Sequence, residues 1–119
     1  MELTERGSIM DPVEAFMRAL CRYLRERGHM LFSMASSAGQ KQVKIALLGL
    51  WRRHDADLTG YPRFMDVVDA VRSCGECMEK LRESGVDGFT EYEGELYVVV
   101  DVERLRKTLV ECDRSTATA

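Results

Sequence analysis

The sequence predicts a mainly α-helical chain carrying one small β-hairpin, and three observations lead there. Apolar residues recur at i, i+3, i+4 and i+7 in several separate segments, the spacing of one helical face. One stretch, FTEYEGELYVVVD at residues 89–101, is instead rich in aromatic and β-branched residues and alternates about a Glu93-Gly94 turn. Gly, Pro and Ser fall between these stretches, where elements have to stop. At 119 residues the chain is expected to form one domain around a single core.

The elements follow in order. Residues 1–10 read as a loose tail and residues 11–112 as the domain. Asp11-Pro12-Val13-Glu14 opens a helix over 11–28, with Asp at the N-cap, Pro at N1 and Glu at N3. Val13, Phe16, Met17, Leu20, Cys21 and Leu24 form its apolar face, and Gly28 reads as its C-cap. The segment HMLFSMASSAG reads as a connector ending near Gly39. A second helix is expected from Gln40 to His54, with Val43, Leu47, Leu50 and Trp51 as its main apolar face. DADLTGYPR reads as a loop with a short strand near Thr59.

A third helix carries Phe64, Val67, Val68 and Val71. After a break at Ser73, a fourth carries Cys74, Cys77, Met78 and Leu81 and ends at Gly85. The hairpin follows. Asp101 then caps a last helix over 102–112, with Val102, Leu105, Leu109 and Cys112 on one face. Residues 113–119 read as a frayed tail.

Composition narrows the class. The net charge is −3, with five basic and five acidic residues in 1–39, eight and seven in 40–84, and four and eight in 85–119. An acidic last third is not the profile of a strong nucleic-acid binder. No apolar run approaches the roughly 18 residues of a membrane span, and the first ten residues lack an apolar signal core. A cytoplasmic protein without a membrane partner is the expectation. Asn is absent, Gln occurs twice, and 13 of 17 basic residues are Arg, a thermophile tendency.

The four cysteines, Cys21, Cys74, Cys77 and Cys112, are the candidates for disulfides. Cys74-Gly75-Glu76-Cys77 has the spacing of a thioredoxin-type redox motif, but no strand feeds its helix. Both residues share a stripe with Met78 and Leu81, which makes them small apolar core residues, and Ser73 with Glu76 completes a capping box. A disulfide or redox switch is the competing reading. A zinc site could join Cys74 and Cys77 to Cys21, Cys112, His29 or His54, but one close pair with distant single ligands is not the usual pair of close-spaced knuckles. Cys21 and Cys112 lie on apolar faces of the terminal helices, where a bridge within or between subunits competes with two buried thiols. The sequence has no glycine-rich phosphate loop, H-x-x-x-H pair or nucleophile elbow, so no enzyme, catalytic residue, metal or cofactor is expected. Asp66, Asp69 and Arg72 read as an exposed charged face.

From residue 40 to about 101, half of the chain, the order helix, helix, tight turn, helix, hairpin resembles a winged helix-turn-helix domain. CMEKLRESGV, leading straight into the hairpin, is similar to the recognition-helix ending of many bacterial and archaeal regulators. The flanking helices, 11–28 and 102–112, resemble the dimerisation helices of that class. The resemblance implies a double-stranded DNA partner and a homodimer through the terminal helices. Ser73, Gly75, Glu76, Glu79, Lys80, Arg82 and Glu83 would face the major groove. Lys80 and Arg82 would supply the positive charge, helped by Arg72, Arg63, Lys44 and Lys41. The tip of the wing, with Glu91, Glu93 and Glu95, opposes phosphate approach. The alternative is therefore a winged-helix module that binds protein at this acidic wing, in a transcription, replication or virus-related assembly.

Overall fold

The structure, a computed structural model, describes the backbone of residues 9–118 and the side chains of residues 9–112. Residues 1–8 of the expected N-terminal tail, and the side chains of the expected C-terminal tail, lie outside the described residues.

Helix α1 (Pro12–Ala38) starts as its sequence dictates: Asp11 Oδ1 accepts from the Val13 N–H at 2.8 Å, with Pro12 in the first turn. It then runs through Gly28 and the expected connector as one helix of 27 residues, and Gly39, at φ 69°, ends it. Gly28 lies within this helix. It is buried, and a Cβ there would stand 3.5 Å from a Leu109 methyl. Leu109 of the last helix packs beside this position, and Phe32 and Ala35 extend the buried face beyond it.

The expected helix over 40–54 is instead a strand, β1 (Gln42–Ala46), followed by a short helix, α2 (Leu47–Trp51). Gln42 and Lys44 are exposed while Ile45 is buried, so a period of two governs this segment. Leu47 and Leu50 are buried, but Trp51, expected on the core face, is exposed with Leu48. Arg53 holds the end of α2 to α1. It donates to Glu26 Oε1 and to the Gly49 carbonyl, each at 2.6 Å, and lies over the Tyr23 ring. The strand expected near Thr59 is a helical turn, α3 (Ala56–Thr59), capped by Asp55.

Helices α4 (Phe64–Arg72) and α5 (Gly75–Glu83) and the hairpin of β2 (Val86–Tyr92) and β3 (Glu95–Asp101) form where the sequence places them. Glu93 and Gly94 both have positive φ, the twist that a two-residue hairpin turn requires. β1 joins the other side of β3, giving an antiparallel sheet of order β1-β3-β2. Val98 and Val100 turn inward with Ile45, against the buried side of α1. Helix α6 (Val102–Thr118) begins at the Asp101 cap, whose Oδ1 accepts from the Arg104 N–H at 2.9 Å, and continues past the expected end at Cys112.

α1 contacts α2, α4, α5 and α6, so the core is built around it. The Cys21 and Cys112 sulfurs are paired within the chain, with Cα atoms 5.6 Å apart across 91 residues of sequence. Closing a loop of this length stabilises a fold by about 4–5 kcal/mol through the lost entropy of the unfolded chain. Cys112→Ser is accordingly expected to lower the unfolding free energy of the oxidised protein by about 4 kcal/mol. Urea denaturation measures this, and a shift below about 1 kcal/mol would remove the staple from the stability of the fold.

Candidate nucleic-acid interface

Helices α4 and α5 are positioned by their apolar stripes. Phe64, Val67, Val68 and Val71 of α4 are fully buried, as is Leu81 of α5, and Cys77 lies beside them. Only Ser73 and Cys74 separate the two helices. The expected Ser73–Glu76 capping box does not form: the Ser73 hydroxyl donates back to the Asp69 carbonyl at 2.7 Å. Cys74 is the N-cap of α5, and its Sγ accepts from the Cys77 N–H at 3.1 Å. The sulfurs of Cys74 and Cys77 are paired, with Cα atoms 5.2 Å apart. Cys77 belongs to the core and Cys74 packs against it, as the apolar-stripe reading expects, while the two sulfurs stand at disulfide distance.

The far end of α5 is held by α6. Arg104 donates to the Arg82 carbonyl at 2.6 Å, the Thr108 hydroxyl donates to the Ser84 carbonyl at 2.7 Å, and the Asp101 N–H donates to the Gly85 carbonyl at 2.7 Å. These bonds satisfy carbonyls that a helix C-terminus leaves open. Sequence reasoning missed Arg104 and Thr108. Their spacing of four along α6 shows that they share a face, but not that the face meets α5.

The solvent side of α5 carries Gly75, Glu76, Glu79, Lys80, Arg82 and Glu83, all exposed. Two cations there stand against three carboxylates. Arg72 lies at the end of α4, its guanidinium 5.6 Å over the Phe89 ring of β2, which brings it to the hairpin. Arg63, at the start of α4, donates to Asp66 Oδ1 at 3.0 Å. Lys44 is exposed on β1 and Lys41 just before it. α5 packs on β2, and β1 is the opposite edge strand. Arg72 and the helix α5 thus lie on the β2 side of the sheet, and Lys44 lies on the opposite edge strand, with Lys41 just before it.

The hairpin tip is acidic and solvated, with Glu91, Tyr92, Glu93 and Glu95 exposed. The Tyr97 hydroxyl donates to Glu95 Oε1 at 3.2 Å, and desolvation together with that carboxylate raises the phenol above its ordinary range. Two shallow clefts run along α1, one against Val43, Lys44 and Val99 and the other against Arg106 and Leu109; neither is lined by α4 or α5. Among the described residues, no group of three or more His, Cys, Asp or Glu is placed to hold a metal ion. No family model matches the chain, and no curated protein or solved structure matches it.

The hydrogen bond from Arg63 holds the Asp66 carboxyl below the usual carboxylate range. A lowered folded-state value means that this group supports the fold above its unfolded range, and that the support fades as pH falls through the lowered value. Arg63→Gln is expected to move the Asp66 titration upward, toward an ordinary aspartate, as read by NMR of the carboxyl carbon. An unmoved titration would show that the pair is not formed in solution.

Proposed function

We propose that the chain is a DNA-binding regulator in which α4 and α5 are a helix-turn-helix and β2–β3 is its wing. The observation that carries this reading is the succession of α4, a two-residue turn, α5 and the hairpin, with the solvent side of α5 left unpacked along its length. In such domains the exposed side of the second helix enters the major groove and supplies base contacts near its N-terminus. Glu76 and Glu79 occupy those positions and suit cytosine amino groups. Lys80, Arg82 and Arg72 are the phosphate contacts, and Lys41 and Lys44, on the far sheet edge, are auxiliary. With so few cations the affinity is modest, and each neutralised phosphate adds about 0.9 to its log–log salt slope.

A second reading is favoured by one specific observation, the exposed carboxylates of Glu91, Glu93 and Glu95 at the hairpin tip. In it the same surface binds a basic protein partner. Either activity fits a cytoplasmic protein, and no helix among the described residues is long and apolar enough to cross a membrane.

Fluorescence anisotropy with random-sequence duplex DNA at low and near-physiological salt separates the two. Binding that weakens steeply with salt is expected. Lys80→Ala combined with Arg82→Ala should weaken it and reduce the log–log salt slope by about 0.9 for each phosphate that is no longer neutralised. Unchanged affinity and slope would remove this mode. If the protein does not bind even at low salt, the acidic tip is decisive, and a partner recovered from the host should be lost when the three glutamates are reversed to Lys.

Homodimerisation is part of the same proposal. α1 and α6 cover much of each other's apolar faces within one chain, so the contact falls to Met30 (58% exposed), Met34 (65%) and Val110 (56%). Light scattering is expected to give twice the 13.6 kDa chain mass at high micromolar concentration. A monomer mass throughout would exclude it.

A further inference from the structure

The two cysteine pairs differ in the properties that govern exchange chemistry. Cys21–Cys112 joins helices across 91 residues, and Cys112 is 4% exposed, so opening it returns the freedom of a long loop to the unfolded chain and requires access to a buried sulfur. Cys74–Cys77 spans 3 residues at the start of α5. Opening it frees almost no chain, because α4 and α5 are held independently by Val67, Val68, Val71 and Leu81 in the core and by Arg104 and Thr108 at the other end. Cys74 is only partly buried, and the side chain that Gly75 lacks would enter open space at this end of α5. Cys77 is buried behind it.

The local electrostatics favour the same sulfur. Cys74 Sγ is the N-cap acceptor of a nine-residue helix and receives the Cys77 N–H. The positive end of the helix dipole stabilises negative charge at that atom, which favours the thiolate and eases reduction of the pair.

We propose that Cys74–Cys77 is a thiol–disulfide exchange site whose co-reactants are a low-molecular-weight thiol and its disulfide. In the reducing direction the thiolate attacks Cys74 Sγ, and the Cys77 thiolate leaves. A second thiol attacks the incoming sulfur of the mixed disulfide, giving the small disulfide and the Cys74 thiolate. Two thiols are oxidised and one protein disulfide is reduced. In the oxidising direction the Cys74 thiolate attacks the small disulfide and expels one thiolate. The Cys77 thiolate then closes on Cys74 Sγ and expels the second. Cys74 is the exchanging sulfur and Cys77 the resolving one. The site stands whether or not α5 touches DNA.

The test equilibrates the full-length oxidised protein in glutathione buffers of increasing reducing power, followed by acid quench, maleimide labelling and peptide mass mapping. Cys74 and Cys77 are expected to become labelled while the Cys21–Cys112 linkage stays intact and the far-UV circular dichroism is unchanged. A pair that opens only together with Cys21–Cys112, or a Cys74–Cys77 linkage that never forms, would overturn the proposal. In a second measurement, Cys77→Ser is expected to accumulate a glutathione adduct at Cys74 at least about tenfold faster than Cys74→Ser accumulates one at Cys77. Equal rates would overturn the assignment of roles. Should either variant fail to fold, maleimide labelling rates at the two positions of the reduced wild-type protein decide the same point.

Discussion

Phe16 sits where three elements meet, and the arrangement of the molecule depends on it. Its ring is fully buried, stacked on Phe64 of α4 at 5.7 Å and met edge-on by Phe89 of β2 at 5.7 Å. Aromatic pairs of this kind add roughly 0.5–1.5 kcal/mol each to the large apolar area that they bury. The contact continues outward, since the free face of Phe89 takes the Arg72 guanidinium. A single side chain of α1 thereby fixes the angle of α4 and the position of the hairpin, and so sets the distance between the two surfaces of the candidate interface.

A second set of contacts positions α5 from behind. Cys77 and Leu81 of the helix enter the core, and Cys74 and Met78 pack against it. The C-terminal carbonyls of α5 are bonded by α6, and α6 is pinned to α1 through the Cys21–Cys112 pair and the Leu109 contact at Gly28. Gln42 donates to Asp87 at 2.6 Å, tying the two outer strands across β3. α5 is therefore a short helix presented on a frame, its exposed side free of any structural duty.

Much of this was legible in the residues. Asp11-Pro12, the Glu93-Gly94 turn, the Asp101 cap and the stripes of α4 and α5 are local signals, and each forms as read. β1 was not legible, because Val43 and Ile45 suit either period and the partner that decides, β3, lies some fifty residues away. Gly28 misled for a related reason: a glycine that ends a helix and one inside a longer helix look alike until the packing that carries the helix onward is placed. At the candidate site, the exposure of Lys80, Arg82 and Arg72 could be read from spacing. The placement of Lys41 and Lys44 followed from a sheet edge that the sequence did not reveal. Cys74 takes the capping role expected of Ser73, a shift of one residue that propensity could not resolve.

The Cys21–Cys112 pair has a topological consequence. All three strands and helices α2 to α5 lie between the two residues, so the oxidised chain closes a covalent ring over residues 21–112. A ring cannot swell as far as a linear polymer of the same length. Heat or urea would leave it with a smaller hydrodynamic radius and with its strands still near one another. The molecule thus carries a record of its folded neighbourhood into the denatured state.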